Sequence, residues 1–231
     1  MAINTKKIND PYVTKKYVSQ YNNIWVFPKD VKKSVDIEVR ILEDILKNKS
    51  SWLDTACGTG YHLQQVTSKV KKSGVDKSES MLDYARKNLY DVSYYKQNIV
   101  KGLSNLGKYD LVSNLGYGYV HQKNLLEVLK FFESISNAVD IGGDLLIGYN
   151  NPGNWIPKNN EFKNTFGNVT FKAVIWDYYE NETNSLYRNC ISPHKNLIIE
   201  TVGFDYEEII EIELPTVWKK NVLLFKRKKE N

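Results

Sequence analysis

The stretch Trp52-Leu53-Asp54-Thr55-Ala56-Cys57-Gly58-Thr59-Gly60 decides the fold. It reads as a short buried strand that ends in an acid and runs into a glycine-rich turn opening a helix. Glycine has no Cβ, so such a turn lets backbone approach a ligand closely. One helix later, Ser73-Gly74-Val75-Asp76 offers a second acid at a strand end. A carboxylate there can take the two hydroxyls of a ribose. The two segments together point to a ligand that carries a ribose.

A regular alternation extends outward from this stretch. Val31, Val35, Val39, Leu42, Ile45 and Leu46 recur at helical spacing and predict a helix before the first strand. Strands are expected near 51–54, 73–76, 92–97, 109–115 and 144–149. Helices are expected near 60–71, 79–89 and 123–138, the last with Leu125, Leu126, Leu129, Phe132 and Ile135 on one face. Gly142-Gly143 reads as the turn into the fifth strand. Strands alternating with helices imply a mainly parallel sheet covered on both faces. Right-handed crossovers reduce the choices to a doubly wound α/β sandwich. A helix over 194–202 and two strands near 206–214 and 221–228 close the chain.

Residues 151–192 fall outside this alternation. Val169 to Tyr179 and Ser185 to Ser192 predict a β-hairpin across Asn181-Glu182-Thr183, inserted after strand five. The motifs of the first two strands carry a family resemblance that implies a wall over the substrate site or a homodimer contact here; the other reading is a decorative edge extension.

The ligand can be narrowed further. Dinucleotide enzymes carry G-x-G-x-x-G, whose third glycine packs helix on strand. Here Gly58 and Gly60 are followed by Leu63 in the third place. A carboxylate at Asp54 is also a poor neighbour for a pyrophosphate.

Leu53-Asp54-x-Ala56-Cys57-Gly58-Thr59-Gly60, then Gly74-Val75-Asp76-x-Ser78-x-x-Met81-Leu82-x-x-Ala85-Arg86, resembles the first two motifs of the class I S-adenosylmethionine-dependent methyltransferases. The resemblance runs more faintly from about Val31 to Lys228. It implies a Rossmann-like, seven-stranded, mostly parallel sheet with an antiparallel last strand. It implies S-adenosyl-L-methionine as cofactor. Asp54 would lie near the amino end of the methionine portion, and Asp76 would bind the ribose. Ala56, Gly58, Gly60 and Lys77 would belong to the same cofactor shell. Met81 would pack on the adenine, though ordinary helix core explains it as well. Asn98 stands where many family members carry an acid that takes the adenine amino group. The backbone of Leu115, at the end of strand four, would touch the cofactor.

His121 closes the run Val112-Ser113-Asn114-Leu115-Gly116-Tyr117-Gly118-Tyr119-Val120-His121. That run resembles the strand-four region of methyltransferases acting on amino sugars and similar small molecules, where a histidine lines the active site. An imidazole can take the proton of an oxygen or nitrogen nucleophile. The competing reading is a histidine at a helix start, satisfied by backbone. Residues 1–29 carry many rings. Tyr17, Tyr21 and Trp25 lie four apart and share a helix face. The family resemblance implies a lid here that brings Tyr17 or Tyr21 to the methyl group; the other reading is a segment that simply docks on the core.

The 231 residues suit a single domain, and the net charge of +5 is spread along the chain. Two cysteines, Cys57 and Cys190, have no metal-ligand spacing, so no metal site is expected. No membrane span and no apolar signal core is visible, which gives a cytoplasmic expectation. Nucleic acid is an unlikely partner, because no dense basic stripe is present. The expected activity is methyl transfer to an oxygen or nitrogen of a small molecule, a sugar or secondary metabolite. The alternatives are a protein or RNA methyltransferase, or a binder of the cofactor that lacks turnover.

Overall fold

The structure is a computed structural model that describes residues 12, 14–150, 161–166, 169–180, 185–214 and 220–229. The expected hairpin turn at 181–183 lies outside the described residues, as do residues 151–160 of the insertion and most of the segment before Thr14.

Helices α1 (Lys15–Trp25) and α2 (Lys29–Leu46) precede β1 (Ser51–Thr55). Then come α3 (Tyr61–Gln65), β2 (Lys71–Asp76), α4 (Glu79–Asn88), β3 (Ser93–Lys96), β4 (Tyr109–Asn114), α5 (Leu125–Asn137) and β5 (Val139–Asn150). A second sheet holds β6 (Glu161–Phe166), β7 (Val169–Glu180) and β8 (Ser185–Pro193). The chain closes with α6 (Lys195–Val202), β9 (Tyr206–Glu213) and β10 (Lys220–Arg227).

The main sheet has the order β3-β2-β1-β4-β5-β10-β9. Pairing is parallel from β3 to β5, and β10 runs antiparallel to both its neighbours. The order reverses between β1 and β4, and a doubly wound sheet opens a crevice there at the carboxyl ends of its strands. One face packs the ring-rich cluster of Tyr119, Phe131, Phe132 and Phe225. The other packs α2 through Leu42 and Leu46 against Trp52, Leu111 and Val222.

Several expectations are corrected. The helix expected over 60–71 stops at Gln65, and β2 starts two residues earlier than expected, at Lys71. The Glu43 carboxylate accepts from Thr67 N–H, Thr67 Oγ1 and Ser68 Oγ, while Lys72 Nζ donates to the carbonyls of Leu63 and Val66. Side chains therefore satisfy the backbone that a longer helix would have used. The buried face of α5 is Val128, Phe131, Phe132 and Ile135, whereas Leu126 is exposed. Strand five begins at Val139 rather than 144. Its pairing jumps from Tyr109↔Val139 to Leu111↔Asp144, so Gly142, at φ +70°, sits in a bulge rather than a turn. The inserted hairpin has a third strand, β6, paired with β7.

Gly74 shows how tightly β2 is built in. A Cβ there would lie 2.9 Å from Cys57 Sγ and from Leu63 Cδ1, and 3.0 Å from Tyr94 Cδ1. Gly74→Ala should cost about 1–3 kcal/mol by overpacking, read as a lower urea midpoint at unchanged m-value. Wild-type stability would mean that all three neighbours yield easily.

Candidate active site

A cleft lies beyond the carboxyl ends of β1, β2 and β4. Its floor is the turn after β1, represented by Ala56 and Gly58. One wall is the loop after β4, with Gly116, Gly118 and His121. The opposite wall is Asp76, Lys77 and Met81, continued by Gln97, Asn98 and Ile99. Tyr12 and Tyr21 cover it from the N-terminal segment.

Asp76 is the fixed point of this cleft. Its Oδ2 accepts from Gly58 N–H at 2.9 Å and its Oδ1 from Ser78 N–H at 2.8 Å. The β2 end, the glycine turn and the start of α4 are thereby joined through one carboxylate. Ser78 caps α4, its Oγ accepting from Met81 N–H at 3.3 Å. The same hydroxyl donates to the Tyr12 carbonyl at 2.5 Å and so docks the N-terminal segment. Thr59 Oγ1 donates to Asn22 Oδ1 at 2.7 Å, a second tie between that segment and the turn.

The turn needs unusual backbone. Ala56 has φ +52°, Gly58 +55° and Gly60 +72°. A Cβ on Gly118 would stand 2.4 Å from the Ala56 Cβ, so the loop after β4 reaches the turn only with glycine at that position. Gly58 lines the cleft, where a Cβ would find only Tyr21 within 4 Å. Gly60 serves packing instead. Its Cβ would meet Tyr94 Oη at 2.9 Å and Ala85 Cβ at 3.2 Å.

The remaining expected residues divide into two groups. Asp76, Lys77, Met81, Asn98, Ala56, Gly58, Tyr21 and His121 line the cleft. Asn98 also caps the following 3-10 turn, its Oδ1 accepting from Val100 N–H at 3.2 Å. Asp54, Tyr17 and Leu115 are not among the lining residues and make other contacts. The Asp54 side chain is buried and accepts from Ser113 Oγ at 2.8 Å, which in turn accepts from the Trp52 indole at 2.9 Å. The Tyr17 hydroxyl accepts from the Trp25 indole at 2.8 Å, and its ring packs with Met81. The Leu115 carbonyl accepts from Lys220 Nζ at 2.9 Å.

Sequence reasoning missed Tyr12 as a lining residue. Its hydroxyl lies 3.2 Å from Nε2 of His121, and its ring makes edge contacts with Tyr17, Tyr21 and His121. Tyr12 stands outside the four-residue spacing of Tyr17, Tyr21 and Trp25, and that spacing drew the reading to α1. On its other side, His121 Nδ1 lies 4.0 Å from Cys190 Sγ on β8. The inserted sheet thus reaches the site. Phe131, Gln122, Gly116 and Gly118 complete that wall. The two glycines were visible in the sequence, but nothing distinguished Phe131 from core.

Residues 53–143 match a family described as a methyltransferase domain. The chain carries a methyltransferase domain. The match begins in β1 and ends in the bulge of β5, so it contains the turn, Asp76 and the loop after β4. No curated protein matches the sequence. Among solved structures, DesVI of Streptomyces venezuelae is similar at 16% identity and a TM-score of 0.65, over 91% of this chain and 98% of that one. The sugar N-methyltransferase KedS8 from a Streptoalloteichus species is similar at 15% identity and a TM-score of 0.63, over 99% of both chains. CalS10 of Micromonospora echinaspora, an amino pentose methyltransferase solved with S-adenosylmethionine bound, is similar at 16% identity and a TM-score of 0.61, over 84% and 92%. These likenesses establish the fold of the methyltransferase domain and its flanks. No helix among the described residues is long and apolar enough to cross a membrane.

Burial raises the Asp54 carboxyl to about 6. Asp76 and Glu38 push the same way, and His62 and the Ser113 hydroxyl oppose them. In the unfolded chain the group titrates near its usual ~3.9. The folded protein therefore holds an extra proton between about pH 4 and 6. The associated stability is complete below that window and lost as pH rises through 6. Denaturation of wild type and Asp54→Asn across pH should show wild type losing about 2–3 kcal/mol relative to the variant between pH 4 and 7.5. A pH-independent gap would return Asp54 to an ordinary carboxylate.

Proposed function

We propose that the cleft binds S-adenosyl-L-methionine and that the enzyme passes its methyl group to a nitrogen or oxygen of a small molecule, a sugar or secondary metabolite. The observation that carries the reading is Asp76: an acid at the end of β2, held by two backbone amides and lining the cleft beside Gly58 and Met81. Carboxylate oxygens so anchored suit the paired hydroxyls of a ribose. Met81 and Ile99 offer apolar surface for an adenine, and Asn98 a carboxamide at its edge. Gly116 and Gly118 let backbone approach the sulfur. The cofactor, when bound, supplies an activated methyl on a sulfonium. DesVI, KedS8 and CalS10 share this fold, and the latter two are described as sugar or amino pentose methyltransferases.

The chain's own part is alignment and proton handling. Oriented reactants can recover about 7–11 kcal/mol of barrier. Tyr12 and Tyr21 close the cleft over the donor, as the described part of an N-terminal lid. Cys190, on β8 of the inserted sheet, backs the acceptor side by standing against His121. Tyr12 and His121 hold the acceptor. In the tautomer with its proton on Nδ1, facing Cys190 Sγ, the His121 Nε2 accepts from the Tyr12 hydroxyl. Nε2 then receives the acceptor's proton, directly or through that hydroxyl. Tyr21 is unsuited to give up its own proton, since burial, then Tyr17 and Asp76, raise its pKa far above the ordinary phenol value. It serves as a wall and a neutral donor.

Two measurements test the reading. In calorimetric titration with S-adenosylhomocysteine, Asp76→Ala should bind at least about 1.5 kcal/mol more weakly than wild type, the lower figure for a hydrogen bond to a charged group. Equal affinities would remove Asp76 from the ribose. With an amino sugar acceptor, His121→Ala should lower kcat roughly 10²- to 10⁴-fold and leave S-adenosylhomocysteine affinity unchanged. Undiminished turnover would make His121 a structural residue.

A further inference from the structure

Outside the lining of the cleft lies a buried charge cluster. Glu38 of α2 is fully buried. Its carboxylate meets Lys220 of β10 through Oε1 and His62 of α3 through Oε2, the latter at 2.9 Å. Burial, the largest influence, pushes Glu38 up; Lys220 and His62 together outweigh it and keep the group ionised. The Lys220 ammonium is itself buried. It donates to the Leu115 carbonyl at 2.9 Å and stands 4.6 Å from the centre of the Tyr117 ring.

Those last two contacts fall on the loop whose glycines line the cleft. Leu115 immediately precedes Gly116, and Tyr117 separates Gly116 from Gly118. Tyr117 adopts φ +54°, a conformation that costs a non-glycine residue energy and must be held. The fold also makes room for the lysine. A Cβ on Gly148 of β5 would fall 3.2 Å from Lys220 Cε and 3.3 Å from the Leu115 carbonyl oxygen. The lysine stem therefore reaches the loop over a glycine.

We infer that Lys220, held by Glu38, is a positioning residue that sets the loop 115–118 against the methyl-donor pocket. A buried ion pair is a weak source of net stability, because desolvating both charges offsets their attraction. Its worth here is geometric. The ammonium can satisfy the Leu115 carbonyl and the Tyr117 ring together only when the loop takes the path that brings Gly118 onto Ala56. The consequence for donor binding rests on the proposed function; the consequence for the loop does not.

The test is the paired variant Glu38→Gln/Lys220→Met. It removes both charges at nearly constant volume and keeps an amide oxygen as acceptor for His62. Two readouts are taken. Hydrogen exchange of the ligand-free protein, followed on peptides covering 115–122, should quicken at least tenfold in the variant. Peptides from β1 and β4 should stay within twofold of wild type. Calorimetry should then give at least a tenfold weaker Kd for S-adenosylhomocysteine. A loop exchanging at the wild-type rate overturns the inference, whatever the affinity. A general rise of exchange in every strand also overturns it, because the pair would then serve stability alone. A loosened loop with unchanged affinity overturns its bearing on the donor pocket. Failure of wild type itself to bind S-adenosylhomocysteine would sink the proposed function, and the exchange measurement would still decide whether Lys220 sets the loop.

Discussion

The active-site end of this sheet depends on one carboxylate. Asp76 takes the backbone amide of Gly58 on one oxygen and that of Ser78 on the other. Its own carbonyl accepts from Gln97 N–H at 2.9 Å, and the neighbouring Val75 carbonyl accepts from Cys57 N–H at 3.1 Å. Four segments therefore meet at one strand end: the turn after β1, the start of α4, the loop after β3, and β2 itself. Hydrogen bonds to a charged group are each worth about 1.5–3 kcal/mol. The anchoring is also cumulative, since Ser78 caps α4 and then holds the Tyr12 carbonyl. The cover over the cleft is thus built on the same residue as its wall.

This arrangement carries strain on its other side. Ala56 and Tyr117 both lie in the left-handed region, and the two loops that contain them touch at Ala56 and Gly118. Such backbone costs on the order of 1–3 kcal/mol for each residue. It persists because the strands beneath are over-determined by polar contacts. Thr55 Oγ1 donates to the Ser113 carbonyl at 2.7 Å, and Asn114 Nδ2 donates to the Thr55 carbonyl at 2.8 Å. Trp52, Ser113 and Asp54 form a further chain between the same two strands. The ends of β1 and β4 cannot separate without orphaning several buried groups at once.

What could be read from the sequence follows the range of the interactions. The alternation of strands and helices is local, and periodicity with glycine punctuation located every strand of the main sheet. The bound on α3 was misplaced because Glu43, two elements earlier, captures Thr67 and Ser68. A helix that ends by long-range side-chain capture leaves no mark in its own residues. The strand β6 escaped because Glu161–Phe166 has no clean alternation and is a strand only through pairing with β7. In the site, the acids and the glycines of the first turn were legible because their chemistry is tied to short spacing. Tyr12 was not, because its role comes from Ser78 holding its carbonyl, a contact across 66 residues. The Leu115 carbonyl and the Tyr17 hydroxyl likewise take long-range or packing partners, Lys220 and Trp25, that no short motif announces.

The polar groups around the end of β4 divide into two kinds, and the division explains why both are needed. On the support side, Glu38 faces the Lys220 ammonium and the His62 ring, so its charge is met by a cation and by a ring nitrogen. Groups matched in that way have a defined geometry and little field left to offer a ligand. On the ligand side, two of the contacts that orient Asp76 come from backbone amides. Amide bonds fix a carboxylate in place and leave its charge intact. Asp54, buried with only a hydroxyl donating to it, lies between these cases, and its raised pKa measures how little compensation it has. A cation arriving in the cleft would favour its ionised form, whereas an anion would oppose both acids. An acid at the end of β2 serves the ribose of dinucleotides and of adenosyl cofactors alike, so it is the glycine spacing, with Leu63 in the third place, that separates the two.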